Sequence, residues 1–153
     1  MFEIDPIHHP RQKFLFFVAQ DINDSIRSKI RQLIDTISSS RSWIIGPPRF
    51  VDSVDKIGTI QDSPIETLGG ELEIYTALHP LKLPKDIDRQ HLKEVEAIVD
   101  AVRVLSEYEQ LAFEFELDGV YVGAIDDGII NKTLRVGLLN EWKKGLQNYK
   151  IKF

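Results

Sequence analysis

The hydrophobic and polar positions change period several times along this chain, and each change marks an element. Lys13 to Ala19 reads Lys-Phe-Leu-Phe-Phe-Val-Ala, an apolar run rich in aromatic side chains. Such a run predicts a strand buried on both faces, hence one near the middle of a sheet. The period then becomes helical. Ile26, Ile30, Leu33, Ile34 and Ile37 recur at helical spacing, with Arg27, Lys29, Arg31, Gln32 and Asp35 on the outer face. Asn23-Asp24-Ser25 supplies N-cap chemistry, and Ser38-Ser39-Ser40 ends the helix.

Trp43-Ile44-Ile45 is a short strand candidate, cut off at Gly46-Pro47-Pro48 because proline has no N–H for a ladder. Phe50 to Ile60 is weakly strand-like, with Val51, Val54, Ile57 and Ile60 as its apolar positions. Gly69-Gly70 predicts a turn. Glu71 to Leu78 alternates, with Leu72, Ile74, Thr76 and Leu78 on one side and Glu71, Glu73, Tyr75 and Ala77 on the other. That is a half-buried strand with an acidic outer face. A loop carrying Pro80 and Pro84 precedes the longest helix, which begins at Asp86 and Asp88. Its apolar stripe is Leu92, Val95, Ile98, Val99, Val102 and Leu105.

Leu111 to Gly128 carries the clearest local signal. Asp118-Gly119 lies between two alternating runs and supplies the positive-φ pair of a type I′ hairpin turn. The turn sets a register: Leu117 with Val120, Phe115 with Val122 and Phe113 with Ala124 on an apolar face. Glu116 with Tyr121, and Glu114 with Gly123, fall on the other. After Asp126-Asp127-Gly128, Asn131 or Thr133 caps a last helix bearing Leu134, Leu138, Trp142 and Tyr149. Gly137 and Gly145 weaken that helix by about 1 kcal/mol each relative to Ala, so it depends on docking against the sheet. The order of elements predicts an α+β fold. A mostly antiparallel sheet of about five to six strands carries about three helices on one face, as a single domain over 1–153.

Charge changes this picture more than composition does. The net charge is −5 over 153 residues, but it is unevenly spread. Residues 9–49 hold seven Lys/Arg and three Asp/Glu, residues 62–127 five and sixteen, and residues 128–153 six and one. An acidic middle of this kind attracts a basic partner when it is exposed on one surface. Without cysteine, disulfides, thiolate catalysis and Cys-based zinc sites are excluded. The first residues lack a leader pattern and the longest apolar run is too short to span a bilayer, which predicts a cytoplasmic protein with no membrane partner.

The candidate binding face combines the two acidic strands. Glu71, Glu73, Glu114 and Glu116 form its charged positions, with Tyr75 and Tyr121 as anchors for a basic protein partner. Other chemistry finds no pattern. Asp118 and Asp126-Asp127-Gly128 lack the alternating ligands of a calcium loop and are explained by turns. His8, His9, His79 and His91 have no metal-ligand spacing, and His91, near Asp88 and Glu94, is expected to be exposed. No phosphate loop or nucleophile motif occurs, so no catalytic residue, metal ligand or cofactor is assigned. Net acidity argues against a nucleic-acid partner. The expected function is an immunity-type inhibitor or adaptor. The alternatives are a small-molecule domain with a pocket near Trp43 and Pro47-Pro48, and a structural subunit of a larger assembly.

Overall fold

The computed structural model describes residues 10–55, 65–75 and 83–147. Its strands are β1 (Arg11–Val18), β2 (Arg49–Asp55), β3 (Ile65–Tyr75), β4 (Ala112–Leu117), β5 (Val120–Asp126) and β6 (Ile129–Ile130). They form one six-stranded sheet in the order β2-β3-β1-β4-β5-β6, antiparallel throughout. The helices are α1 (Asp24–Ser38), α2 (Lys85–Glu109) and α3 (Glu141–Gln147), the last continuing a π-helical segment over Thr133–Asn140. This is the α+β architecture that the order of elements predicts. Among the described residues no helix is long and apolar enough to cross a membrane.

Strand β1 is central, between β3 and β4, as its apolar run implies. Its burial is one-sided, contrary to expectation. Phe14, Phe16 and Val18 are buried, whereas Leu15 and Phe17 are half-buried. The reason is layering. Phe14 and Phe16 share one apolar cluster with Ile30 and Ile34 of α1, Val95, Ile98 and Val102 of α2, and Leu134 of the π-helical segment. Every described helix therefore lies on the same sheet face, and Leu15 and Phe17 point to the other.

Helix α1 starts as its sequence dictates. Asn23 is extended, and its side chain accepts the Ile26 N–H at 2.9 Å, satisfying one of the first turn's orphan donors. Ile26, Ile30, Ile34 and Ile37 then fall on the buried stripe. Helix α2 follows Pro84, has Asp86 and Asp88 in its first turn, and stops at Gln110 in the left-handed conformation. Ser106 secures that end. Its hydroxyl donates to Leu111 O at 2.6 Å and accepts the Gly128 N–H at 2.9 Å.

Gly69-Gly70 is not a turn. Both residues lie inside β3, opposite Phe17 and Phe16 of β1. A Cβ on Gly69 would fall 1.8 Å from Phe16 O, and one on Gly70 would fall 2.4 Å from Ile34 Cδ1. Glycine here admits close backbone approach beneath α1, not chain reversal. Trp43-Ile44-Ile45 is not a strand either. The Ile44 N–H is used by the Glu94 side chain at 2.8 Å instead of a ladder. Residues 56–64, including Ile57 and Ile60, residues 76–82, including Thr76 and Leu78, and Tyr149 lie outside the described residues.

The hairpin turn forms as expected, with φ 51° at Asp118 and 80° at Gly119, and a second such turn follows at Asp127 (51°) and Gly128 (79°). Leu117–Val120 and Glu116–Tyr121 pair as the turn requires, but a bulge then shifts the register. Phe115 faces Gly123, Glu114 faces Ala124 and Phe113 faces Ile125. The extra residue on β5 brings Gly123 inward, where its φ is 150° and an added Cβ would lie 2.3 Å from Leu134 Cβ. Bulge and terminal helix are thus one packing solution. The terminal helix also departs from its four-residue stripe. Leu134 and Leu139 are buried at a five-residue step, and the Glu141 N–H reaches back to Val136 O, the π-helical pattern.

Gly123→Ala is expected to lower unfolding free energy by about 1–3 kcal/mol through overpacking against Leu134. Adding Leu134→Ala to it should cost less than the two single losses summed. Urea unfolding of the four proteins of that cycle measures both; strict additivity would contradict the contact.

Candidate functional site

The sheet register assembles the outer face row by row. One row runs Arg49, Glu71, Leu15, Glu116, Tyr121 across five strands. The next runs Val51, Gly69, Phe17, Glu114, Ala124. Lys13 stands opposite Glu73 in the row on the other side of Leu15. The four glutamates of the acidic strands therefore share one face, half-buried, around the apolar pair Leu15 and Phe17.

Its electrostatics are milder than the sequence alone suggests, because β1 and β2 carry cations to the same side. Arg49 Nη2 lies 2.6 Å from Glu71 Oε1, and Arg11 Nη1 lies 3.6 Å from Glu73 Oε2. Among the described residues Glu114 and Glu116 form no ion pair. The uncompensated charge thus sits on β4, beside Phe17 and Leu15. Tyr121 is about half exposed at 48%, and its hydroxyl accepts from Asn131 Nδ2 at 2.9 Å. The Asn131 Oδ1 also accepts the Ala124 and Leu134 N–H groups, so one residue orients Tyr121 and caps the π-helical segment. Tyr75 differs: it is buried, with its ring edge-on to His91 at 5.9 Å and the Arg11 guanidinium 5.5 Å from it.

A second polar group, which sequence reasoning placed in solvent, lies in the core. Asp88, His91 and Glu94 occur at three-residue steps along one face of α2, and His91 and Glu94 are both 0% exposed. The Tyr75 N–H donates to His91 Nε2 at 3.1 Å, which places the ring proton on Nδ1. That proton is donated to Glu94 Oε1 at 3.0 Å. Glu94 Oε2 accepts the Ile44 N–H. Asp88 Oδ1 accepts the Trp142 indole N–H at 2.8 Å. No described buried side-chain polar atom lacks a partner. Both ring nitrogens of His91 are occupied and sealed from water, so His91 and Glu94 tie β3 and the loop around Ile44 to α2 and have no reach to a substrate.

Trp43 and Pro48, of the Trp43 and Pro47-Pro48 segment, help to seat that loop. The Trp43 indole donates to Ser38 O at 3.1 Å, and the Ser38 hydroxyl donates to Pro48 O at 3.1 Å. Among the described residues no group of three or more His, Asp or Glu side chains could hold a metal ion. His8, His9 and His79 lie outside the described residues. A cleft of about 360 Å³ opens beside Trp142, between α2, the end of the sheet and the π-helical segment. No family model, curated protein or solved structure matches this chain.

Glu94→Leu strands the buried His91 Nδ1–H and the part-buried Ile44 N–H, and is expected to cost about 2–5 kcal/mol of stability. Long-range ¹H–¹⁵N spectra of the wild type should show the Nδ1-protonated tautomer of His91. An Nε2-protonated ring, or a variant as stable as wild type, would contradict the arrangement.

Proposed function

We propose that this chain is a protein-binding module that docks a basic partner on the sheet face opposite the described helices. The observation that carries the reading is the placement of Phe17 and Leu15. Both sit half-buried on the central strand, outside the core cluster, with Glu114 and Glu116 beside them on β4. An apolar centre edged by charge is how protein interfaces are organised, the centre excluding water and the rim setting partner and on-rate. Tyr121 is the aromatic anchor of this face, held by Asn131. Glu71 and Glu73 add less charge because Arg49 and Arg11 offset them. Tyr75 holds Arg11 beside Glu73 from within.

The concrete form is an immunity-type inhibitor. A nuclease or toxin that acts on phosphate-bearing substrates is basic where it binds them, and a glutamate-edged apolar face complements such a surface. The acidity of residues 62–127 supports this reading by slowing encounter with acidic proteins and speeding encounter with basic ones.

Wild-type protein and the double variant Glu114→Lys/Glu116→Lys are to be compared as tagged baits in native lysate, at about 50 mM and about 500 mM salt. The wild type is expected to retain one basic protein at low salt and release most of it at high salt. The variant should retain at least about tenfold less, with thermal unfolding within about 0.5 kcal/mol of wild type, since both side chains are partly exposed. Equal retention by the two baits would overturn the reading.

A further inference from the structure

We infer that Tyr121 presents a hydrogen-bond donor to the docked partner, and that Asn131 is the positioning residue that fixes this polarity. Given the docking of a basic partner, on which this rests, the partner carries a neutral acceptor, a carbonyl oxygen, beside a basic side chain.

The polarity is set at the Asn131 amide. Its Oδ1 accepts two backbone N–H groups, from Ala124 at 3.1 Å and from Leu134 at 3.0 Å. Turning the amide over would set its NH2 against both donors, so its orientation is fixed. Nδ2 therefore donates and the Tyr121 hydroxyl accepts, at 2.9 Å. The backbone also holds this residue. The Asn131 N–H reaches Ala124 O at 2.9 Å, and the Asn131 carbonyl accepts the Arg135 N–H at 3.0 Å.

A phenol has one O–H to donate and lone pairs to accept with. With a lone pair engaged by Nδ2, the O–H points elsewhere. Among the described residues nothing accepts it, and Tyr121 is 48% exposed. Glu116 stands directly across from Tyr121, in the same row as Leu15, and forms no ion pair among the described residues. One row thus offers a carboxylate and a neutral donor on cross-strand neighbours, whose Cβ atoms lie about 5 Å apart. A partner carboxylate at Tyr121 would meet the charge of Glu116. A carbonyl oxygen next to a lysine or arginine suits both groups.

Asn131→Asp separates polarity from charge and from capping. An aspartate keeps one oxygen for the Ala124 and Leu134 N–H groups. Its second oxygen accepts where Nδ2 donated, so the Tyr121 O–H turns inward to it. The added negative charge by itself favours a basic partner. Wild type, Tyr121→Phe, Asn131→Asp and the double variant are to be compared as tagged full-length baits in native lysate at about 50 mM salt. Tyr121→Phe should retain about threefold to tenfold less of the basic protein. Asn131→Asp should retain at least about threefold less, against the trend of its charge. In the Tyr121→Phe background Asn131→Asp should cause no further loss, because no hydroxyl is left to turn. Without any partner, the Asn131 side-chain amide resonances should move in Tyr121→Phe. Unmoved amide resonances, wild-type retention by either single variant, or the same loss from Asn131→Asp in both backgrounds would each overturn the inference and leave the docking reading standing. A wild-type bait that retains no basic protein would overturn both.

Discussion

The fold depends on the close packing of phenylalanines from the two central strands beneath the helices. Phe14 stacks on Phe115 at 5.7 Å, and Phe16 meets Phe113 and Phe115 at 6.1 Å each. All four rings are 1% exposed or less. Full burial of one such side chain contributes about 1.5–3 kcal/mol, so this quartet is a large part of the drive that closes the helical layer. It also dictates what surrounds it. β3 can run past Phe16 only where it carries no side chain, at Gly69 and Gly70, and β5 can pass beneath Leu134 only at Gly123.

Because that core lies on one side, the sheet has two unlike faces. The covered face is dry and aromatic. The other exposes alternate residues of the same strands, and there the pleat groups Leu15 and Phe17 with the glutamates of β3 and β4. The polar seam of α2 preserves the difference. His91 and Glu94 satisfy the Tyr75 and Ile44 N–H groups from inside the core, so the β3 end and the loop after α1 are pinned without help from the outer face. Surface charges can therefore be altered with little consequence for the core.

Features with local causes were legible in the sequence. Asp118-Gly119 encodes its turn, Asn23 its cap, and the isoleucines of α1 their buried stripe, each within a few residues. Features decided at a distance were not. Gly69-Gly70 has the composition of a turn, and only the passage of Phe16 beside it makes it strand. His91 has the composition of a surface residue. Its burial depends on a backbone donor 16 residues away and on Glu94, whose second donor is 50 residues from it. The shared face of Glu71, Glu73, Glu114 and Glu116 followed from alternation. The partial neutralisation by Arg49 and Arg11 required the order β2-β3-β1, which alternation does not carry.

The most direct test of the two-faced account places the photo-crosslinker p-benzoylphenylalanine at Phe17 or at Tyr108, in cells that produce the protein natively. Phe17 lies on the sheet face opposite the described helices, and Tyr108, 82% exposed, lies on α2. The account predicts a single dominant adduct from position 17, to a basic protein, and none at position 108. An adduct from position 108 alone, or the absence of any from position 17, would contradict it.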